Sequence, residues 1–97
     1  MSDSDITQYV VTFRFQEKGL SDVLELNSTL TNAGFTTTLH GKDGHAVELG
    51  TNRFGIVSAL DEAHVREQAE GLGEMALGEK PGVEIDRFDA FLAAGKS

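Results

Sequence analysis

Residues 9–15 read YVVTFRF, with Tyr9, Val11, Phe13 and Phe15 on one side of an extended chain and Val10, Thr12 and Arg14 on the other. A period of two, filled with β-branched and aromatic residues, predicts a first strand. Its aromatic side is the one the rest of the chain must cover. After a polar turn at 16–19 the period changes. Leu20, Val23, Leu24, Asn27 and Leu30 recur at helical spacing, with Leu26 and Ala33 beside them. Ser21 and Asp22 suit the positive end of a helix and Gly34 its stop, so 20–33 is predicted helical. Residues 35–40, FTTTLH, return to alternation, and three consecutive threonines favour a second strand. A turn at 41–44 follows, and 45–49 either continues a hairpin or lies across its end. Residues 53–59, RFGIVSA, predict a third strand in which Gly55 marks a bulge or a close neighbour.

Val65, Ala69, Leu72 and Ala76 then form a stripe at i, i+4, i+7 and i+11, predicting a second helix opened by 60–62. Ser58 and Asp61 have the spacing of a capping box. Gly71 and Gly73 are expected to weaken its second half, by about 1 kcal/mol each relative to alanine. The break GEKPG at 78–82 holds the only proline. Residues 83–88, VEIDRF, predict a fourth strand, and Asp89 can cap a short terminal helix through Phe91, Leu92 and Ala93. The order β-α-β-β-α-β predicts a single α+β domain over 1–97, with tails at 1–6 and 95–97. The expected architecture is a ferredoxin-like βαββαβ sandwich, a four-stranded antiparallel sheet with two helices on one face. Right-handed crossovers place strands one and three in the middle and four and two at the edges, leaving the other face open.

Composition narrows the partners. No apolar run approaches the roughly 18 residues of a membrane span. The opening MSDSDITQ is polar and acidic, unlike a secretory or transit signal. There are no cysteines, which excludes disulfides and thiolate chemistry and suits the cytoplasm. Sixteen Asp and Glu against eight Lys and Arg give a net charge of −8. That balance discourages phosphate backbones unless a basic patch is local, and favours a basic protein partner.

No cofactor motif is present. His40 and His45 flank Asp43, but spacing fixes no third strong ligand and His64 belongs to another element, so no metal site is assigned. The acidic pairs, Asp61 with Glu62 and Glu84 with Asp86 among them, read as helix-start and solvent-facing charges. Ser4, Ser21, Ser28, Ser58 and Ser97 lack a nucleophile motif, and 41–44 lacks the helix a phosphate loop needs. Three arginines are different. Arg14, Arg53 and Arg87 fall in predicted strands, and with strands four, one and three adjacent they would gather on the open face. With Phe54 or Phe15 nearby they would supply the cations and rings that an RNA platform uses. The alternative is that they pair across strands with Glu84, Asp86 and Glu48.

Tyr9-Val10-Val11-Thr12-Phe13, the helix from 21 to 30, Phe35, Gly44 and the run LGTNRFGI at 49–56 resemble the GhoS family, in order and at nearly constant spacing up to about residue 77. That family comprises antitoxins of type V toxin–antitoxin systems. The resemblance implies a ferredoxin-like fold related to the CRISPR-associated Cas2 nucleases, and an endoribonuclease that cuts the messenger of a small membrane toxin. It carries a functional role to Phe54, which lies in the matching N-x-F element. Where that fold keeps an acidic residue past the first strand, this chain has Arg14, and its first helix carries Glu25, Leu26, Asn27 and Ser28 where the family has arginines. Two functions are therefore expected. One is a GhoS-like RNA-directed antitoxin, with endoribonuclease activity and RNA contacts at Arg14, Arg53, Phe54 and Arg87. The other is a non-catalytic regulatory module, a homodimer built on the open face or an edge strand.

Overall fold

The computed structural model describes residues 6–16, 19–41, 44–50 and 52–94. All of the expected tail at 1–6 except Ile6, the expected tail at 95–97, and parts of the turns at 16–19 and 41–44 lie outside the described residues. Elements run β1 (Thr7–Arg14), α1 (Leu20–Asn32), β2 (Thr38–His40), β3 (Ala46–Glu48), β4 (Arg53–Ser58), α2 (Glu62–Leu77), β5 (Gly82–Arg87) and α3 (Phe88–Ala94). The class is α+β. The main sheet has three strands in the order β4-β1-β5, antiparallel throughout, with Val11 opposite Phe54 on one side and Ile85 on the other.

A four-stranded sheet does not form among the described residues. The segment expected to be its outer strand touches β4 through one bridge, Thr36 N–H to Gly55 O at 2.8 Å and Gly55 N–H to Thr36 O at 2.6 Å. It then leaves the plane, and β2 pairs with β3 as a separate two-stranded hairpin. Gly55 explains the departure. A side chain there would lie 2.6 Å from Leu39 Cγ, so the bare backbone lets Leu39 of β2 cross over the sheet.

The core consequently has two parts, one on each face. Tyr9, Val11, Phe13, Phe54, Val83 and Ile85 face α1 and α2, where they meet Leu26, Leu30, Val65 and Ala69. On the opposite face Val10 is covered by Leu39, Leu49 and Phe88, with Val47 and Phe91 packed around them. The expectation of an open face is therefore corrected: the hairpin and α3 form a third layer. Val10 and Val11 are both 0% exposed, so β1 is buried on both sides, as a central strand must be.

The helix ends follow from local chemistry. Gly34, at φ 101, lets the chain reverse after α1, with Gly34 N–H on Thr31 O and Phe35 N–H on Leu30 O. This is the paired closure of a Schellman motif, and Phe35 and Leu30 meet in the core beneath it. At α2 the cap is Asp61, whose carboxylate accepts from His64 N–H at 3.0 Å. Ser58 caps nothing helical; its hydroxyl accepts from Leu60 N–H. With Gly71 and Gly73 inside it, α2 still runs unbroken to Leu77 and closes on left-handed Gly78.

Candidate nucleic-acid interface

The four residues expected to meet RNA do not share one surface. Arg14 and Arg53 belong to the same sheet face, because Arg53 stands opposite Thr12 and Arg14 lies two residues further along β1. Their side chains part. Arg14 reaches diagonally to Glu84 on β5 in a two-pronged pair, Nε to Oε2 at 3.0 Å and a terminal nitrogen to Oε1 at 3.1 Å. Arg53 turns toward the third layer, donating to Leu49 O at 3.4 Å and lying 5.6 Å from the centre of the Phe91 ring. Cross-strand pairing thus occupies Arg14, while α3 and the hairpin occupy Arg53.

Phe54 is 4% exposed, with its ring edge-on to Phe13 at 5.8 Å between centres. It is a core aromatic whose packing sets the position of its neighbour Arg53. Both residues border a groove of about 410 Å³ between α1 and Glu48, Gly50 and Asn52, lined also by Val23, Leu24 and Asn27.

Arg87 stands apart. It is in register with Tyr9 at the far end of β5, away from the Arg14–Glu84 pair. There it lines a larger cleft of about 680 Å³, bounded by the start of β1, by Gly41, His45 and Val47 of the hairpin, and by α3. Ile6, Val47, Phe88 and Leu92 give the cleft apolar walls, and Gln8, His45 and Asp89 give it polar groups; Arg87 borders it, but its register with Tyr9 sets its side chain on the α1 and α2 face of the sheet. Such a mixture, mostly apolar with a few polar groups, is typical of small-ligand and nucleotide sites. Gln8 donates to His40 O at 3.3 Å, tying β1 to the hairpin, and the Asp89 carboxylate accepts from Ala90 N–H at 2.8 Å. Three segments distant in sequence build this cleft, so no local spacing could have revealed it. Sequence inspection singled out Arg87 and His45, but for different chemistries.

The remaining histidines lie elsewhere. His64 Nδ1 is 2.5 Å from Asp61 Oδ1 at the start of α2. Hydrogen bonding to the Asp61 carboxylate raises the His64 imidazole above its usual range, and the same bond holds the Asp61 carboxyl below its own. Among the described residues no three His, Cys, Asp or Glu side chains group to hold a metal ion. Asp43, the expected companion of His40 and His45, lies outside the described residues. No helix among the described residues is long and apolar enough to cross a membrane.

Comparison with known proteins places this framework. Residues 1–94 match the family model described as endoribonuclease GhoS. Over 89 residues the chain is 37% identical to the Escherichia coli K12 protein named "uncharacterized protein YdiZ", spanning 92% of this chain and 93% of that one. The protein of the same name from Escherichia coli O157:H7 matches to the same extent. With nearly the whole chain inside the family model and a full-length relative at this identity, the protein belongs to the GhoS family.

Proposed function

We propose that this protein is a cytoplasmic, RNA-directed endoribonuclease that acts as a GhoS-like antitoxin, cutting the messenger of a toxin. The observation that carries this reading is the family match over residues 1–94 to proteins described as endoribonucleases. A compact α+β scaffold with arginines at both ends of its central sheet is compatible with it. Beyond the family, the proposal assigns RNA contact to Arg14, Arg53 and Arg87, with Phe54 holding Arg53 in place from the core. The finer ferredoxin-like description belongs to the same proposal: β5-β1-β4 have the neighbours that fold requires, and Thr36 marks where its fourth strand would start.

Catalysis through a metal-binding carboxylate just past β1 is not part of this proposal, since Arg14 occupies that place and is held by Glu84. The test is incubation of the pure protein with single-stranded RNA at low salt, with and without a chelator. Cleavage, or binding that weakens as salt rises, is expected. Absence of both would overturn the reading.

The homodimer reading named the open sheet face or an edge strand, and the hairpin and α3 cover the first of these. Surfaces open to a homodimer or a basic partner include the outer edge of β5 and the exposed Leu20 and Leu24 of α1, at 71% and 57% exposure. Arg66 already donates to Val83 O along that edge.

A further inference from the structure

Ile6 and Leu92 are large apolar side chains that the fold leaves to water, at 56% and 38% exposure. Both line the larger cleft, where Val47 of β3 and Phe88 of α3 continue the apolar surface. Gln8, two residues before Val10 on β1, belongs to the sheet face that the third layer covers, and its amide N–H reaches His40 O at 3.3 Å. Gly41 N–H donates to His45 O at 3.0 Å and closes the hairpin beside the cleft. Hydrogen bonds of the chain itself therefore hold the walls. At about 680 Å³ the cleft lies within the range of about 300–1,000 Å³ usual for small-molecule sites. Its polar groups are weighted toward acceptors. Asp89 is the acidic side chain of the lining, and it makes no ion pair among the described residues. Its carboxylate accepts from Ala90 N–H at 2.8 Å, which leaves most of its lone pairs for another donor. The bond from Gln8 to His40 O fixes which end of that amide is the oxygen, a further acceptor. Among the described residues the lining brings no cation to answer them. Register with Tyr9 sets Arg87 on the opposite sheet face, and His45 already has an interaction of its own.

We propose that this cleft binds a small organic cation, an amine carried on an apolar or aromatic body. The body lies against Ile6, Val47, Phe88 and Leu92, and the ammonium group donates to the Asp89 carboxylate and the Gln8 amide oxygen. Charge decides between ligands of the same shape. A carboxylate on the ligand would meet Asp89 with like charge, whereas an ammonium group supplies the donors that both acceptors lack. The net charge of −8 acts in the same direction by drawing cations toward the protein and turning anions away. Binding here joins β1, the hairpin and α3, so an occupied cleft also fastens the third layer to the sheet. The inference concerns a site apart from RNA cutting and does not rest on the endoribonuclease reading.

The test follows backbone amide shifts of the full chain by NMR while phenylbutylamine is added, with phenylbutyrate as the anion of matching body. Phenylbutylamine is expected to bind in the millimolar range that a ligand of its size allows, moving the amides of Gln8, Val47 and Leu92 most. Phenylbutyrate should bind about fivefold more weakly or worse, since an exposed ion pair is worth up to about 1 kcal/mol. Asp89→Asn, which keeps an acceptor for Ala90 N–H, should abolish most of that preference. Glu74→Gln, on α2 across the sheet, should leave it intact and so separates Asp89 from the general field. Ile6→Ser, at an exposed position, should weaken both probes alike. Circular dichroism on each variant confirms that the fold is retained. No shifts with the amine, or shifts centred on Val23 and Leu24 of the other groove, would overturn the proposal. So would equal affinity for the two probes, or a preference that survives in Asp89→Asn. Shifts of the cleft amides with protein concentration alone would instead assign the cleft to a second copy of the chain, and overturn it too.

Discussion

A methyl group added at Gly73 would lie 2.6 Å from Pro81 Cγ and 3.0 Å from Phe13 Cε2, whereas one added at Gly71 meets nothing within 4 Å. Helix propensity treats the two glycines alike; the neighbours do not. Gly71→Ala is expected to stabilise the protein by about 1 kcal/mol, since the exposed helical backbone gains a better helix former. Gly73→Ala is expected to destabilise it by about 1–3 kcal/mol through overpacking against Pro81 and Phe13. Chemical denaturation of the two variants checks the opposite signs. Phe54 follows the same logic. Its ring lies in the core against Phe13, so Phe54→Ala should cost about 3–5 kcal/mol. A Phe54→Leu variant that remains folded should retain most RNA affinity. A large loss of affinity in folded Phe54→Leu would assign the ring a direct contact.

At the scale of the element, α1 shows how a stripe can be misaligned. Leu20 and Leu24 belong to the strongest sequence pattern yet stay exposed, while Leu26 and Leu30 are buried. The helix presents that side because it packs against α2 as well as the sheet, a demand its own periodicity does not contain. The start of α2 carries a titration signature. His64 has its pKa raised by Asp61, so its contribution is complete below the ordinary value of 6.5 and is lost as pH rises through the higher folded value. Asp61 has its pKa lowered by His64, so its contribution is complete above 3.8 and is lost as pH falls through the lower folded value. The pair is therefore most effective between those two ordinary values. Melting temperature against pH should lose its alkaline-side decline from this source in His64→Ala, and part of both flanks in Asp61→Ala.

For the whole molecule, the third layer is the consequential feature. Leu39, Leu49 and Phe88 seal Val10 from water. Leu39→Ala is expected to cost about 2–5 kcal/mol and to loosen the hairpin from the sheet. Raised binding of a hydrophobic dye with helical content preserved would report that loosening. Salt dependence belongs here too. A net charge of −8 leaves little general attraction for RNA, so the binding proposed above requires a few local cations. Replacing Arg87 by Ala should reduce the slope of log affinity against log salt by about 0.7, the value of one phosphate contact on a single strand. Titrations at several salt concentrations measure it.

Local pattern was sufficient for the elements themselves. The alternation in β1 and the helical spacing of α1 and α2 follow from period and punctuation, because backbone geometry acts within a few residues; the order β4-β1-β5 follows from the expected right-handed crossovers. The Arg14–Glu84 pair was among the alternatives the charges offered, since cross-strand neighbours follow from register. Tertiary packing decided everything that depended on which surfaces meet. It turned β2 out of the main sheet over a bare Gly55, covered the face expected to be open, buried Phe54 and left Arg87 without an ion pair among the described residues. It also joined residues 8, 45 and 87 around one cleft. Those outcomes turn on contacts between segments far apart in the chain, and the periodicity of each segment carries no information about its distant neighbour.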